Sequence, residues 1–408
     1  MANSPQIYCS FCHKTAKDVK TLIGGDSDNY ICEECIEKCS ELLKQTKAEK
    51  KITAKKKISK SPRIIKEFLD QYVVGQNHAK EVISIAVYNH YKRLEHKVSD
   101  DEIEITKANI CLIGNSGSGK TFLAKTVAKY LEVPFVSCDV TSLTEAGYVG
   151  DDVESVITRL LQAADGDIKK AETGIVFLDE ICKKRSKEGN ASSKDVSGEG
   201  VQQALLKLLE GTEIIVPSGN RKGPNADTVK INTQNILFIL GGAFVGIDEM
   251  MEETTGIGFG ATVDKTKPKK TRQIEPEHLI KFGLIPELIG RIPVIATLDT
   301  LSEDQLFQIL SEPKNSLVKQ FTKMFSIDGV NLEFEDAALR EIAKIAILRK
   351  TGGRALRSVL ETKMHKIQYN LPDLRDKGAK TIIVTASSIT DNADPMVIYN
   401  KKTKNKNV

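Results

Sequence analysis

Gly114-Asn-Ser-Gly-Ser-Gly-Lys-Thr121 follows directly on the apolar run Ala108-Asn-Ile-Cys-Leu-Ile113. The eight residues complete the pattern Gly, any four, Gly-Lys-Ser/Thr, in which a strand feeds a glycine-rich turn and a helix leaves it. The segment Lys120 to Tyr130 supplies the helix, with Leu123, Val127 and Leu131 on one side at helical spacing. Gly114, Gly117 and Gly119 let backbone N–H groups turn inward without side-chain obstruction. Asn115, Ser116 and Ser118 lie between them, and Phe122 follows the motif. Lys120 can reach the β and γ oxygens of a nucleoside triphosphate, and Thr121 offers a hydroxyl to Mg²⁺. This stretch sets the expectation of an α/β fold that binds ATP or GTP.

Binding alone is not hydrolysis. What completes the chemistry is Gly174-Ile-Val-Phe-Leu-Asp-Glu-Ile181, an apolar strand ending in two acids. Asp179 can hold the Mg²⁺ shell near Thr121, and Glu180 can orient and polarise the attacking water. In isolation such a strand end is also compatible with two solvated acids; downstream of a complete phosphate loop it reads as catalytic.

Four hundred and eight residues are enough for two or three domains with a large core. The net charge of +4 favours no polyanionic partner, but the basic excess is local. Lys44 to Lys60 holds eight lysines and one acid, and four lysines follow Asn400. Such runs read as solvated linkers and ends, with nucleic-acid or membrane-surface contact as the alternative. No apolar span reaches 18 residues and no signal-type segment occurs, so a cytoplasmic protein is expected.

Five of the eight cysteines lie in the first 40 residues. Cys9-Ser-Phe-Cys12 and Cys32-Glu-Glu-Cys35, separated by 19 residues, match the spacing of a four-thiolate zinc site. Four thiolates neutralise Zn²⁺ and fix a tetrahedron, so a segment too short for its own core can fold around the metal. A cytosolic setting disfavours disulfides as the alternative. Cys39 and His13 are nearby donors, and Cys39 stays open as a substitute ligand. Cys111, Cys138 and Cys182 sit in or beside apolar runs as small hydrophobes.

Composition changes divide the chain into a zinc module at 1–43, a lysine-rich linker at 44–61, an α/β domain at 62–298, a smaller α-rich domain at 299–396 and a basic tail at 397–408. The module is expected to be a hairpin turning at Gly24-Gly25 plus a helix from Ile36 to Leu43. Strands are expected near 108–113, 135–138, 175–178, 235–240 and 294–297, alternating with helices near 77–93, 120–131, 152–164 and 199–210. That alternation means a parallel sheet covered on both faces, with nucleotide at the carboxyl ends of its strands. Beyond Asp299 the pattern is mainly helical, with short strands at Asn331–Phe334 and Thr381–Val384.

Zinc pairs, phosphate loop, Asp-Glu strand end, Glu287-Leu-Ile-Gly-Arg-Ile-Pro293 and Gly352-Gly-Arg-Ala-Leu-Arg357 occur in this order. The succession resembles the AAA+ ATPases, and the zinc module narrows the resemblance to the ClpX family of protein unfoldases. The resemblance implies an AAA+ parallel-sheet domain, a smaller α-rich C-terminal domain and a treble-clef-like zinc module. It implies a homo-hexameric ring with ATP, Mg²⁺ and Zn²⁺ as cofactors. Arg291 would be the finger that a neighbour's γ-phosphate sees, and Arg354 would contact the phosphates in cis. A guanidinium suits both roles, since it is permanently charged and forked. Val73 and Val74 in Gln71-Tyr-Val-Val-Gly-Gln76 would offer apolar contact to adenine.

Three loops complete the resemblance. Gly147-Tyr-Val-Gly150 matches a pore loop, so Tyr148 and Val149 would ring the axis and wedge against a translocating chain. Asp195-Val-Ser-Gly-Glu-Gly200 matches a second pore loop. In Thr255-Gly-Ile-Gly-Phe-Gly-Ala261, Ile257, Gly258 and Phe259 resemble the tripeptide by which the family docks on the ClpP peptidase ring; an exposed Ile and Phe among glycines suit burial by a partner. Implied partners are therefore other copies of the chain, ClpP, and unfolded or tagged proteins with their adaptors, recruited through the zinc module, with no nucleic acid and no membrane. Nothing in the chain forms a peptidase nucleophile constellation.

Three departures stand out. Asn220-Arg-Lys-Gly-Pro224 lacks the histidine that often follows Arg-Lys in the pore-mouth loop, Cys182 replaces the usual acid after Asp-Glu-Ile, and Asn235 to Leu240 runs into Gly241-Gly242 without a polar sensor. A nucleic-acid motor is the rival reading, because zinc modules and lysine runs accompany such machines. It calls for stacking aromatics among the basic residues, and aromatics make up only 5% of the chain, with no Trp. A zinc scaffold with a silent ATP site is a third reading, opposed by the complete set of Lys120, Asp179, Glu180 and Arg291.

Overall fold

The computed structural model describes residues 8–25, 29–40, 61–95, 103, 105–144, 151–185, 198–217, 228–247, 249–250, 274–349 and 351–399. The chain separates at Ser59/Lys60 into two units.

In the first unit, β1 (Leu22–Gly24) and β2 (Tyr30–Cys32) pair antiparallel, and residues 33–40 are helical. The helix begins earlier than the expected Ile36 because the Glu33 carboxylate accepts the N–H groups of Lys20 and Thr21. That ties the helix start to the residues that lead into β1. The apolar content is small: three buried cysteines with Val19, Leu22 and Ile31 packed around them. A core of this size does not stabilise a fold without a crosslink or metal.

The second unit is built on five parallel strands. These are β3 (Ile110–Ile113), β4 (Phe135–Asp139), β7 (Ile175–Asp179), β10 (Leu237–Gly242) and β11 (Val294–Thr297), in the order β11-β3-β10-β7-β4. Strands β3 and β10 are buried along their whole length, as continuous apolar runs covered on both faces must be. The helices Asn77–Glu95, Lys120–Leu131 and Ser155–Ala163 pack on the sheet. All five strands fall where the sequence places them, within two residues.

Two smaller pairings flank the sheet. β5 (Leu143–Thr144) and β6 (Asp151–Asp152) bring together the two ends of the stretch that contains Tyr148 and Val149. β8 (Glu213–Pro217) and β9 (Thr228–Asn232) form an antiparallel pair on either side of Asn220–Pro224. Tyr148, Val149, Asn220–Pro224, Asp195 and Ile257, Gly258 and Phe259 all lie outside the described residues. In the second pore-loop match, Glu199 and Gly200 open the helix Glu199–Glu210.

Past Thr297 a separate apolar core forms from the helices Glu303–Ser311, Leu317–Ile327, Asp336–Leu348 and Gly353–Tyr369. The first two flank Pro313, which cannot continue a helix. Three strands complete this region: β12 (Asn331–Phe334) runs parallel to β13 (Ala379–Val384), and β14 (Met396–Tyr399) runs antiparallel to it. Strand β14 continues three residues into the stretch that the sequence reads as basic tail, because Met396-Val-Ile-Tyr399 completes the ladder before the lysines begin.

Candidate nucleotide site and metal centre

The phosphate loop joins β3 to the helix Lys120–Leu131. The helix starts at Gly119, which stands at φ 101° and gives it no side-chain cap. Its first N–H groups thus remain available to an anion, and the helix dipole favours negative charge there. Gly117 is fixed by a close approach: a Cβ at this position would stand 2.1 Å from the Thr351 carbonyl oxygen. The ammonium of Lys120 donates to the Gly114 carbonyl and, at 3.1 Å, to that of Asn115. Burial depresses its pKa below the ordinary lysine value, against the opposing pull of the Asp179 carboxylate.

Asp179 ends β7 beside the start of that helix. Its Oδ2 accepts the Thr121 hydroxyl at 3.1 Å, while its Oδ1 accepts the N–H of Glu180 at 2.9 Å. Glu180 turns away from the strand in the left-handed region, at φ 62° and ψ 29°. A non-glycine residue held there is strained, and such strain concentrates at functional sites. Its carboxylate is paired with Lys183, a partner that the sequence reading did not single out. Where β10 runs out without a polar side chain there is little room for one: a Cβ on Gly241 would meet the Phe177 ring at 2.5 Å and the Asp179 Oδ1 at 3.1 Å.

The residues fit a magnesium-bound triphosphate. Ser118 Oγ is buried without a hydrogen-bond partner among the described residues, and a side chain at Gly119 would meet nothing within 4 Å. A hydroxyl and a carboxylate are the hard oxygen donors that Mg²⁺ takes.

Arg354 is the second residue of the helix Gly353–Tyr369, next to the loop. Its Nη1 lies 3.5 Å from Ser116 Oγ, and the Gly353 N–H donates to the Gly117 carbonyl at 3.0 Å. Asn115 Nδ2 donates to Thr300 Oγ1 at 3.0 Å. Val73 is buried and Val74 half-buried in a segment that reaches the loop through Gln76, whose Nε2 lies 3.4 Å from the Ser118 carbonyl. Phe122 is half exposed on the outer side of the helix start.

Arg291 lies elsewhere. It stands three residues before Val294, off the amino-terminal end of β11, with Nη2 at 2.8 Å from Glu210 Oε1. Its carbonyl accepts Asn109 Nδ2 at 2.8 Å, beside the start of β3. Because β11 and β3 run parallel, the sheet separates Arg291 from the phosphate loop of the same chain.

In the first unit the sulfurs of Cys9, Cys12, Cys32 and Cys35 all lie within 4.8 Å of one another. The Cys9–Cys35 and Cys12–Cys32 separations are 3.9 and 3.6 Å, far beyond a disulfide bond. Cys39 and His13 are not in this group. Four converging thiols with no bond between them are the donor set of a structural zinc site.

Three family models match the chain. The AAA domain (Cdc48 subfamily) matches residues 105–295, and the C-terminal, D2-small domain of ClpB protein matches 301–370. With the parallel sheet, the phosphate loop and the Thr121–Asp179 contact, these place the chain among the AAA+ ATPases. The ClpX C4-type zinc finger matches residues 7–45, over the four-cysteine cluster. The three matches together fit a ClpX-like AAA+ chain of the Clp chaperone class, a class of ring assemblies.

Among the described residues, no helix is long and apolar enough to cross a membrane.

Proposed function

We propose that this chain is an ATP-driven unfoldase that works as a ring of six copies, threads substrate proteins through a central pore and delivers them to the ClpP peptidase. The observation that carries this reading is the presence of a ClpX-type zinc finger and a complete ATP site in one chain.

On this reading each site residue has a role. The loop N–H groups and Lys120 hold the phosphates, and Thr121 and Asp179 would hold Mg²⁺. When bound, Mg²⁺ neutralises charge on the phosphate oxygens. Glu180, turned off the strand beside Asp179, orients the attacking water and accepts its proton. Its pairing with Lys183 fixes the direction of the carboxylate. Arg354 reaches the loop of its own chain from the helical region, so phosphate contact there bears on how the two cores sit together. Arg291, at the far end of the sheet, serves the site of the next subunit. Val73 and Val74 line the adenine side, Tyr148 and Val149 grip the substrate, and Ile257, Gly258 and Phe259 dock on ClpP. The zinc module recruits substrates or adaptors.

The direct test combines the full chain with ClpP, ATP and a tagged folded substrate. ATP-dependent degradation that is lost in an Ile257→Ala/Phe259→Ala variant with undiminished ATPase supports the reading. Degradation that proceeds without ATP contradicts it.

A further inference from the structure

The segment Gln71 to Gln76 touches three parts of the chain that are remote in sequence. The Gln71 carbonyl accepts the Lys314 N–H at 2.9 Å. Gly75, at φ +65°, lies so close to Gln305 that a Cβ there would stand 2.5 Å from its Nε2. Gln76 is 4% exposed and is itself held at φ 54°.

The Gln76 side chain behaves as a strand of one residue. Its Nε2 donates to the Asp299 carbonyl at 2.8 Å, and its Oε1 accepts the Asp299 N–H at 2.8 Å. The same Nε2 lies 3.4 Å from the Ser118 carbonyl in the phosphate loop. These partners fix the orientation of the amide, since a flip would set its oxygen against two carbonyls and its NH₂ against an N–H. Asp299 is the second residue past β11, and Leu301 already packs on the helical core. One buried amide therefore satisfies both backbone groups at the junction between the two cores and also touches the phosphate loop.

From this geometry we propose that Gln76 is a positioning residue for nucleotide binding at the ATPase site: its amide couples the Ser118 carbonyl to Asp299, so that a shift of the loop on nucleotide binding changes the hold on the junction. The idea rests on the ATPase alone, not on unfolding.

The test is steady-state ATPase of the full chain carrying Gln76→Glu, together with hydrogen exchange of the Asp299 amide in the unaltered chain with and without ADP. The variant keeps the acceptor for the Asp299 N–H but turns negative charge on two carbonyls. Its KM for ATP should rise roughly tenfold, while kcat stays within about twofold. The Asp299 amide should change its protection when ADP binds. A kcat that falls at constant KM, as from a smaller folded fraction, overturns the proposal, as does an unchanged KM. Should Gln76→Glu fail to fold, the exchange rate decides: equal rates with and without ADP overturn the coupling. A chain that hydrolyses ATP yet unfolds no substrate leaves both readouts intact, so failure of the unfoldase reading is distinguishable.

Discussion

Arg291 and Thr121 stand at opposite ends of one parallel sheet. Thr121 follows the carboxyl end of β3, whereas Arg291 precedes the amino end of β11, the neighbouring strand, with its guanidinium held by Glu210. A strand of four residues spans about 13 Å, beyond the reach of an arginine side chain to the phosphates on its own loop. If Arg291 stabilises the transition state, it does so in a neighbouring subunit.

Mixing makes that testable. Arg291→Ala alone should retain ATP binding and lower kcat by roughly 1000-fold, as loss of an arginine finger does. Mixed with Glu180→Gln subunits, which still carry Arg291, it should recover about one quarter of the wild-type rate per subunit for random rings. Steady-state ATPase against the mixing ratio gives the answer: a rate that stays at the low level of the two variants at every ratio would show that Arg291 acts within its own chain, and a rate that starts at the wild-type level and falls in proportion to the added Glu180→Gln would show that it does not act at all.

Glu180→Gln keeps the shape of the side chain and removes its basicity. The expected result is ATP affinity near wild type with kcat lowered at least roughly 100-fold, read by nucleotide titration and phosphate release. Equal loss of affinity and rate would mean instead that Glu180 organises binding. Lys183→Ala should lower kcat less, since it only orients the carboxylate.

Zinc removal should separate the two units. Structural zinc contributes on the order of 10 kcal/mol of folding free energy in small metal-held modules, and the apolar core around these four cysteines is slight. Cys9→Ser, or chelation, should therefore unfold residues 8–40 while the ATPase of the rest of the chain persists. Zinc content, proteolysis of the first unit and phosphate release should be measured on the same sample. A chain that keeps the first unit folded with no metal would refute the site.

His90 and Lys107 give the stability a pH signature. Burial, with Arg93 and Lys107 close by, pulls the His90 pKa down to about 3, and burial beside Arg93 pulls Lys107 down to about 7. Burial disfavours the charged form of each, and this outweighs the bonds they donate, His90 Nε2–H to the Asn235 carbonyl at 3.1 Å and Lys107 to the Thr233 carbonyl at 2.9 Å. Both pKa values lie below those of the unfolded chain, so the unfolded state binds more protons within each window. Stability should thus rise with pH from about 3 to 6.5 through His90 and from about 7 to 10.5 through Lys107. Thermal midpoints against pH should lose the upper slope in Lys107→Met and the lower slope in His90→Gln. Unaltered slopes in both variants would exclude these groups as the cause.

The five-stranded sheet was legible because its strands are largely apolar and two of them are bounded by motifs: Ile110–Ile113 leads into the phosphate loop, and Ile175–Asp179 runs into the acid pair Asp179-Glu180. Motif spacing likewise made Thr121 and Asp179 readable as a pair. The Gln76–Asp299 contact was not legible, since its partners are 223 positions apart and on one side are backbone groups that residue type does not encode. The ion pairs Glu180–Lys183 and Arg291–Glu210 escaped for a related reason, because charged residues on loops and helix ends are usually solvated. Strand β14 was hidden by its length of four residues and by the lysines after it, and β8 by a partner strand across an intervening loop.

The central claim is that hydrolysis at this site drives mechanical unfolding, and it is tested most directly by ATP-dependent loss of fluorescence from a stably folded, terminally tagged reporter. The account predicts loss with the wild-type chain and none with Glu180→Gln, which cannot hydrolyse. It predicts poor unfolding with undiminished ATPase for Tyr148→Ala. No unfolding with any tag or adaptor, together with an ATPase that responds only to DNA or RNA, would contradict it.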